Sequence, residues 1–312
     1  MLTRFGRYLL SGPREAAWPV LLLALTPLTS WVSGAAISLV ALRQGAKPGL
    51  WVCLWASMPI LILGAVYGHY QWWLLSIAGG TFYIWFMSVL LRSTGSWGFL
   101  IEISVLIGLV TVAAAHLFFW AFMDLSVTEW FTQTYVNYLN SLGQDQEVVK
   151  AALAQSGGTW EEFVAGEANN GTIAQLAQFT TGTVTSFKLF AGLILVSLGR
   201  YWQALMFNPG GLGKELRQIR LSKLMIIGFI VAIVFAVMGY ELAIDFIPLF
   251  FVGFLVAGLS LIHSMLANIG YRVILLSAVY ILMVGASKIV MPLLVSIAFL
   301  DSLFNFRKFK GA

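Results

Sequence analysis

The chain has 312 residues, of which 60% are hydrophobic and only 10% are Asp, Glu, Lys or Arg, with a formal net charge of +5. Soluble domains contain roughly 45–50% apolar and about 25% charged residues, so this composition excludes an ordinary soluble globular protein. The single cysteine, Cys53, lies in an apolar run, which excludes an intramolecular disulfide and a thiolate metal site. The apolar runs approach the ~20 residues that cross a ~30 Å hydrocarbon core, so we predict an integral membrane protein.

The first apolar run, residues 17–42, follows a basic N-terminus and is interrupted at Pro27. Proline interrupts helices, so the run forms either one long kinked helix or a hairpin of two short helices. Arg43 and Lys47 follow the run, and Lys and Arg favour cytoplasmic loops. The hairpin keeps them on the same side as the N-terminal arginines. Charge therefore favours the hairpin, and the sequence alone leaves the long helix open.

Three further membrane helices are predicted in the N-terminal part of the chain, residues 1–123. They cover residues 50–66, 72–91 and 98–123. Residues 68–71 form an uncharged turn between the first two of these helices, whereas Arg92 in the next turn indicates the cytoplasmic side.

Residues 124–183 differ in composition from the rest of the chain. They are polar and carry seven acidic residues against the single Lys150. Aromatic and apolar residues recur in this segment at helical spacing, as at Trp130, Phe131 and Tyr135, which is typical of amphipathic helices. We predict an extracytoplasmic, amphipathic helical insertion that lies on the membrane helices.

The C-terminal part, residues 184–312, contains the remaining predicted spans. They cover residues 184–207, 224–240, 246–265 and a long run at 272–300 that Lys288 and Pro292 interrupt. The fold expected from the whole chain is an all-α, polytopic membrane helix bundle with eight or nine membrane helices. The side of the basic C-terminal tail depends on whether the last run crosses once or is broken, and the sequence leaves this open.

The loop at residues 208–223 is the most basic in the chain. Lys214, Arg217, Arg220 and Lys223 recur every three residues, which keeps their side chains neighbours on a helix. We predict a cytoplasmic, short interfacial helix that binds the headgroups of anionic membrane lipids. A docking segment for a partner protein is the alternative.

Polar residues inside the apolar runs are the candidate functional residues, because burying an ionisable group in a membrane is expensive. Lys288 is the foremost candidate, and Glu102 or Asp301 could pair with it; a lysine that reaches the headgroups is the alternative. His116 and His263 could relay protons or bind a solute, although polar packing between helices explains them as well. The candidate intramembrane polar site comprises Lys288, Glu102, His116, His263, Asn268 and Asp301.

Catalytic and cofactor-binding motifs are not found in the sequence. There is no HExxH zinc motif and no Gly-x-Ser-x-Gly nucleophile elbow. The glycine-rich residues 208–214 lack the spacing of a phosphate-binding loop, and Glu215 stands where Ser or Thr would follow Lys214. We therefore expect no catalytic residues, cofactor or metal, and the sequence does not indicate nucleic-acid binding.

Two segments carry a family resemblance: residues 200–211, RYWQALMFNPGG, and residues 301–307, DSLFNFR, together with His263. In these the chain resembles the YybS-like family of predicted bacterial membrane proteins. Residues 43–49, RQGAKPG, after the Pro27 break are similar to the start of the S components of energy-coupling-factor transporters. The resemblance implies a multi-pass protein of the bacterial inner membrane and a role in transport.

The expected function is solute uptake, with this chain as a substrate-binding membrane subunit. Since the sequence contains no ATP-binding motif, a separate protein would have to supply the energy. The alternative is a non-catalytic scaffold or assembly protein of an envelope or signalling complex. The substrate, the oligomeric state and the identity of the partner do not follow from the sequence.

Overall fold

The computed structural model describes residues 2–68, 74, 76–143, 147–155, 157–169 and 171–310. Over these ranges the protein is helical and contains no β-strand. The chain forms two compact units. The first comprises Met1–Ser104, Phe187–Ile226 and Val252–Ala312, and the second comprises Val105–Ser186 and Ile227–Phe251.

Five helices and a π-helical turn lie in the described part of residues 2–94. They are α1 (Leu2–Leu9), α2 (Pro13–Ala24), α3 (Pro27–Gln44), α4 (Ala46–Tyr67), a π-helical turn at Ala78–Phe82 and α5 (Tyr83–Thr94). Proline stands at the start of both α2 and α3, where its fixed φ and missing N–H suit the first helical turn. Gly68 ends α4 with a positive φ of 81°; residues 69–71 of the predicted turn lie outside the described residues.

The other helices follow in chain order. They are α6 (Trp97–Phe122), α7 (Val127–Gly143), α8 (Glu147–Gln155), α9 (Trp160–Asn169), α10 (Thr172–Phe207), α11 (Gly211–Leu216), α12 (Lys223–Val237), α13 (Glu241–Met265), α14 (Arg272–Gly285), α15 (Ser287–Phe304) and a 3-10 turn at Phe306–Lys310. A reciprocal capping box begins α7, because Ser126 and Glu129 each accept the other's backbone N–H.

Five helices are long and apolar enough to cross a membrane: α4, α6, α10, α13 and α15. The shorter α12 and α14 are also apolar. Large apolar side chains are exposed on them, and Val237 and Val284 are more than 80% exposed. Such surfaces are unfavourable in water and favourable in lipid. The predicted class, an all-helical membrane protein, is therefore confirmed.

Residues 17–42 form two helices, not one long kinked helix. The hydroxyl of Ser33 in α3 donates to the carbonyl of Val20 in α2, and the Gln44 side chain donates to the carbonyl of Leu10. The residues in contact lie at similar distances along the chain before and after the break, so the two segments pack against each other in antiparallel orientation. Thr26 between the helices is extended, with φ −121° and ψ 141°. The hairpin interpretation of this run is thus the correct one.

The helix ends differ from the bounds of several predicted segments. Helix α10 begins at Thr172, so the predicted boundary between residues 183 and 184 falls inside a continuous helix. The last apolar run is two helices that break at Ala286, with Lys288 in the first turn of α15. Asp245 lies inside α13, although the predicted span starts only at residue 246, because the turn before this helix occurs earlier, at Gly239.

Candidate functional site

An ionisable pair, of which one residue is buried and the other half-buried, lies in the second unit, on two of the membrane-spanning candidates. Asp245 of α13 is 1% exposed, and its carboxylate oxygen Oδ2 lies 2.9 Å from Nε2 of His116 on α6. The other carboxylate oxygen, Oδ1, accepts the backbone N–H of Gly182 on α10 at 2.8 Å. Three helices therefore meet at one carboxylate, and both of its oxygens have a partner.

Gly182 allows this close approach. A Cβ atom at this position would overlap the carbonyl oxygen of Asp245, a backbone atom that cannot rotate away. The missing side chain brings the backbone of α10 within hydrogen-bonding distance of the Asp245 carboxylate. The glycine thus positions a donor for a charge that water does not reach.

The bond to Asp245 involves only one of the two ring nitrogens of His116, Nε2. When the carboxylate is ionised it only accepts hydrogen bonds, so Nε2 of the imidazole carries the hydrogen of this bond. The other ring nitrogen, Nδ1, takes no part in the bond to Asp245.

A cavity of about 520 Å³ adjoins the pair and reaches His116. Its wall includes the apolar or aromatic Leu117, Trp120 and Leu242 and the acidic Asp124 and Glu129. His116 lies six residues before the end of α6, about 9 Å along the axis, and Asp245 lies four residues after the start of α13, about 6 Å. The pair therefore lies just inside the helix ends, where a solute could reach it.

Asp245 is not among the predicted site residues, because the predicted membrane span starts one residue after it, at residue 246. The sequence did contain a usable signal. Glu241 and Asp245 are four residues apart, which places both on one face of a helix that begins at Glu241. A histidine inside an apolar run, such as His116, also needs a polar partner on another helix.

A second polar cluster, in the first unit, brings Glu102 and Asp301 to the basic loop. Glu102 accepts the backbone N–H of Ser222 at 2.5 Å. Arg220 donates to the carbonyls of Asp301 and Ser302 at the end of α15. The Glu102 carboxylate therefore has a partner in the basic loop. Among the described residues, the predicted pairing of Lys288 with Glu102 or Asp301 is not formed.

Arg307 completes this cluster. Its Nε donates to the Asp301 carboxylate at 3.2 Å, and its two terminal nitrogens donate to the carbonyls of Arg217 and Ile219. Burial lowers the pKa of the Arg307 guanidinium, and the neighbouring Asp301 carboxylate opposes that shift. The contacts tie the C-terminal turn to an irregular strap formed by residues 217–222.

The predicted interfacial helix of the basic loop is wrong. Helix α11 ends at Leu216 and α12 begins at Lys223, so the four basic residues do not share one helix. The physical reason is that carbonyls of the strap bond to Arg307 instead of to a following helical turn. Lys214 and Lys223 are exposed, whereas Arg217 and Arg220 are half-buried.

Glu215 in α11 forms an ion pair with Arg200 of α10 and also accepts the indole N–H of Trp97 at 3.1 Å. Burial raises the pKa of this carboxyl, but the bonds from Arg200 and Trp97 lower it further, so the pKa lies below its usual value. The pair fixes the start of the loop against α10.

The remaining predicted residues lie elsewhere. Lys288 is exposed at the start of α15. Nδ1 of His263 donates to the carbonyl of Leu259 within α13, and its Nε2 accepts a long hydrogen bond of 3.4 Å from the Tyr280 hydroxyl. Asn268 is exposed in the turn after α13. His116 belongs to the second unit and the other five residues to the first, so the structure does not show the six as one site.

The fold and the pair define a helical membrane protein with an ionisable group buried in its membrane-spanning candidates. No protein-family model, no curated protein and no solved structure matches the chain. Within the described ranges, no group of three or more His, Cys, Asp or Glu residues is placed to hold a metal ion.

Proposed function

We propose that the protein is a multi-pass subunit for solute uptake in the bacterial inner membrane, and that the cavity ending on His116 binds the solute. The His116–Asp245 pair carries this proposal, because Asp245 is buried and ionisable groups inside membrane segments are energetically costly and typically mark solute or proton pathways. The acidic rim of the cavity favours a solute that bears a positive charge or several hydrogen-bond donors.

The wider arrangement is part of the same proposal. Eight or nine crossings include the five long helices and the shorter α12 and α14. The predicted amphipathic insertion faces outward up to the start of α10, over residues 124–171, and residues 208–223 face the cytoplasm with the basic residues. A separate protein energises uptake, in agreement with the resemblance to the YybS-like family and to S components.

The uptake test uses a strain that lacks the gene, complemented with variants at equal expression. Asp245→Asn removes the charge that holds His116, so uptake of the affected solute falls about tenfold or more, the loss expected for a charge-assisted bond. Glu241→Gln is the matched control. It removes the same charge one turn earlier on α13, where Glu241 is exposed and, in the described part of the chain, accepts a side-chain hydrogen bond from the Thr128 hydroxyl alone.

Cellular metabolite levels and the uptake of labelled solutes are measured in parallel. Wild-type uptake by Asp245→Asn contradicts a solute role for the pair. A deletion that changes no solute uptake but alters the assembly of an envelope complex contradicts the transport function and favours a scaffold.

The membrane orientation is tested by labelling single cysteines with an impermeant thiol reagent in intact spheroplasts. Ser141→Cys in α7 and Gln218→Cys in the strap are introduced into a Cys53→Ala background; both positions are exposed. Ser141→Cys reacts from outside and Gln218→Cys reacts only after lysis, because Lys and Arg stay on the cytoplasmic side. Reaction of Gln218→Cys in intact spheroplasts reverses the proposed orientation.

A further inference from the structure

Lys188 is a cationic residue inside α10 that the uptake mechanism does not use. Twelve residues separate it from Arg200, whose pair with Glu215 lies at the level of the polar loop. Twelve helical residues span about 18 Å, and the hydrocarbon core is about 30 Å thick, so Lys188 lies at hydrocarbon depth. A charge at that depth needs compensation by an anion.

The protein does not supply that anion among its described residues. Lys188 forms no ion pair or hydrogen bond there, and no carboxylate lines the cavity next to it. Residues 69–73 and 75, which precede the π-helical turn, include no Asp or Glu in the sequence. The Lys188 side chain is exposed, so another molecule can reach the ammonium group and supply the anion.

A cavity of about 250 Å³ adjoins Lys188 within the first unit. Gly79 and Gly80 of the π-helical turn, Ile84, Gly192 and Leu195 line it, so its wall is mainly apolar, and Ser76 and Lys188 are the polar residues of the lining. A Cβ atom at Gly79 or Gly80 would meet no atom within 4 Å, so both glycines face open space. π-Helical turns are rare and frequently occur at functional sites.

The geometry points to a binding site for an anionic amphiphile, in which Lys188 holds a phosphate or carboxylate headgroup and the apolar wall receives the attached hydrocarbon. An apolar cavity with one cation fits a molecule that has one charge and a hydrocarbon chain. A small inorganic anion would leave the apolar wall unfilled, and a neutral lipid would leave Lys188 uncompensated. The site is independent of the proposed uptake function.

The test measures thermal unfolding of the full chain in neutral detergent while dioctanoyl phosphatidylglycerol, decanoate or dioctanoyl phosphatidylcholine is titrated. The anionic compounds raise the Tm of the wild type and the phosphatidylcholine does not. In Lys188→Met the half-saturating concentration of the anionic compound rises about tenfold or more, because a charge-assisted contact is lost. Lys188→Arg retains binding. Lys288→Met serves as the control, because it also removes one lysine charge but lies in the first turn of α15, whereas Lys188 lines the cavity.

Gly80→Leu tests the cavity without changing any charge, because its side chain occupies the open space that the glycine faces, and it weakens binding as Lys188→Met does. Stabilisation by the phosphatidylglycerol identifies a membrane lipid as the source, and stabilisation by decanoate alone identifies a free carboxylate amphiphile. An equal response of wild type and Lys188→Met, or an equal response to phosphatidylcholine, overturns the site.

Discussion

Replacement of Arg307 with methionine lowers the free energy of unfolding by about 3–5 kcal/mol, the cost of leaving a buried charge without its partner. The change removes the donors to Asp301, Arg217 and Ile219 together, and the side chain of Asp301 is only 3% exposed. The loss also frees the strap at residues 217–222. Reversible unfolding of the detergent-solubilised protein measures the effect.

Lys308→Met is the matched control, because it removes a neighbouring positive charge that is exposed. It changes the stability by no more than about 0.5 kcal/mol, as is usual for a surface position. A double-mutant cycle with Asp301→Asn then isolates the coupling of the ion pair. Equal stability of Arg307→Met and Lys308→Met would show that the C-terminal cluster does not stabilise the protein.

Replacement of Gly182 with alanine destabilises the second unit by about 1–3 kcal/mol, the usual cost of forcing an extra methyl group into a packed position. The new Cβ meets the backbone carbonyl of Asp245, so α10 and α13 must separate. Separation also lengthens the bond between the Gly182 N–H and the Asp245 carboxylate. Thermal unfolding in detergent measures the loss.

Gly166→Ala is the control, and its expected effect on stability has the opposite sign. Gly166 lies inside α9, and a Cβ atom there meets no other atom within 4 Å. Alanine favours the helix over glycine by about 1 kcal/mol, so this variant stabilises the protein. If Gly182→Ala also raised the Tm, the close approach of α10 and α13 would be wrong.

Local chain chemistry explains which parts of the fold could be predicted. The break at Pro27 and the apolar runs follow from backbone geometry and burial, and both correspond to observed features. The ends of the helices around the basic loop could not be predicted. The spacing of Lys214, Arg217, Arg220 and Lys223 is compatible with one continuous helix and also with the irregular strap that the structure has. Arg307, which is distant in the chain, donates hydrogen bonds to carbonyls of the strap, and these carbonyls therefore do not bond to a following helical turn.

The sequence also identifies some residues of the candidate site and not others. His116 was identifiable because an ionisable residue inside an apolar run is costly, but its partner Asp245 was not, since pairing across 129 positions depends on how helices pack. Lys188 and Lys288 look alike in sequence, as single lysines in apolar runs. Their positions differ in the structure: a cavity adjoins Lys188, and a helix break places Lys288 in a first turn.

The amino-acid sequence by itself determined that this is an all-helical membrane protein, because hydrophobic content and run length depend only on composition and order along the chain. The tertiary structure alone decided that Asp245 contacts His116 and Gly182, and that Asp301 contacts Arg307. Such pairs form because a polar group removed from water must find a partner wherever packing brings one within about 3 Å. Which partner is within that distance depends on how the helices pack against one another.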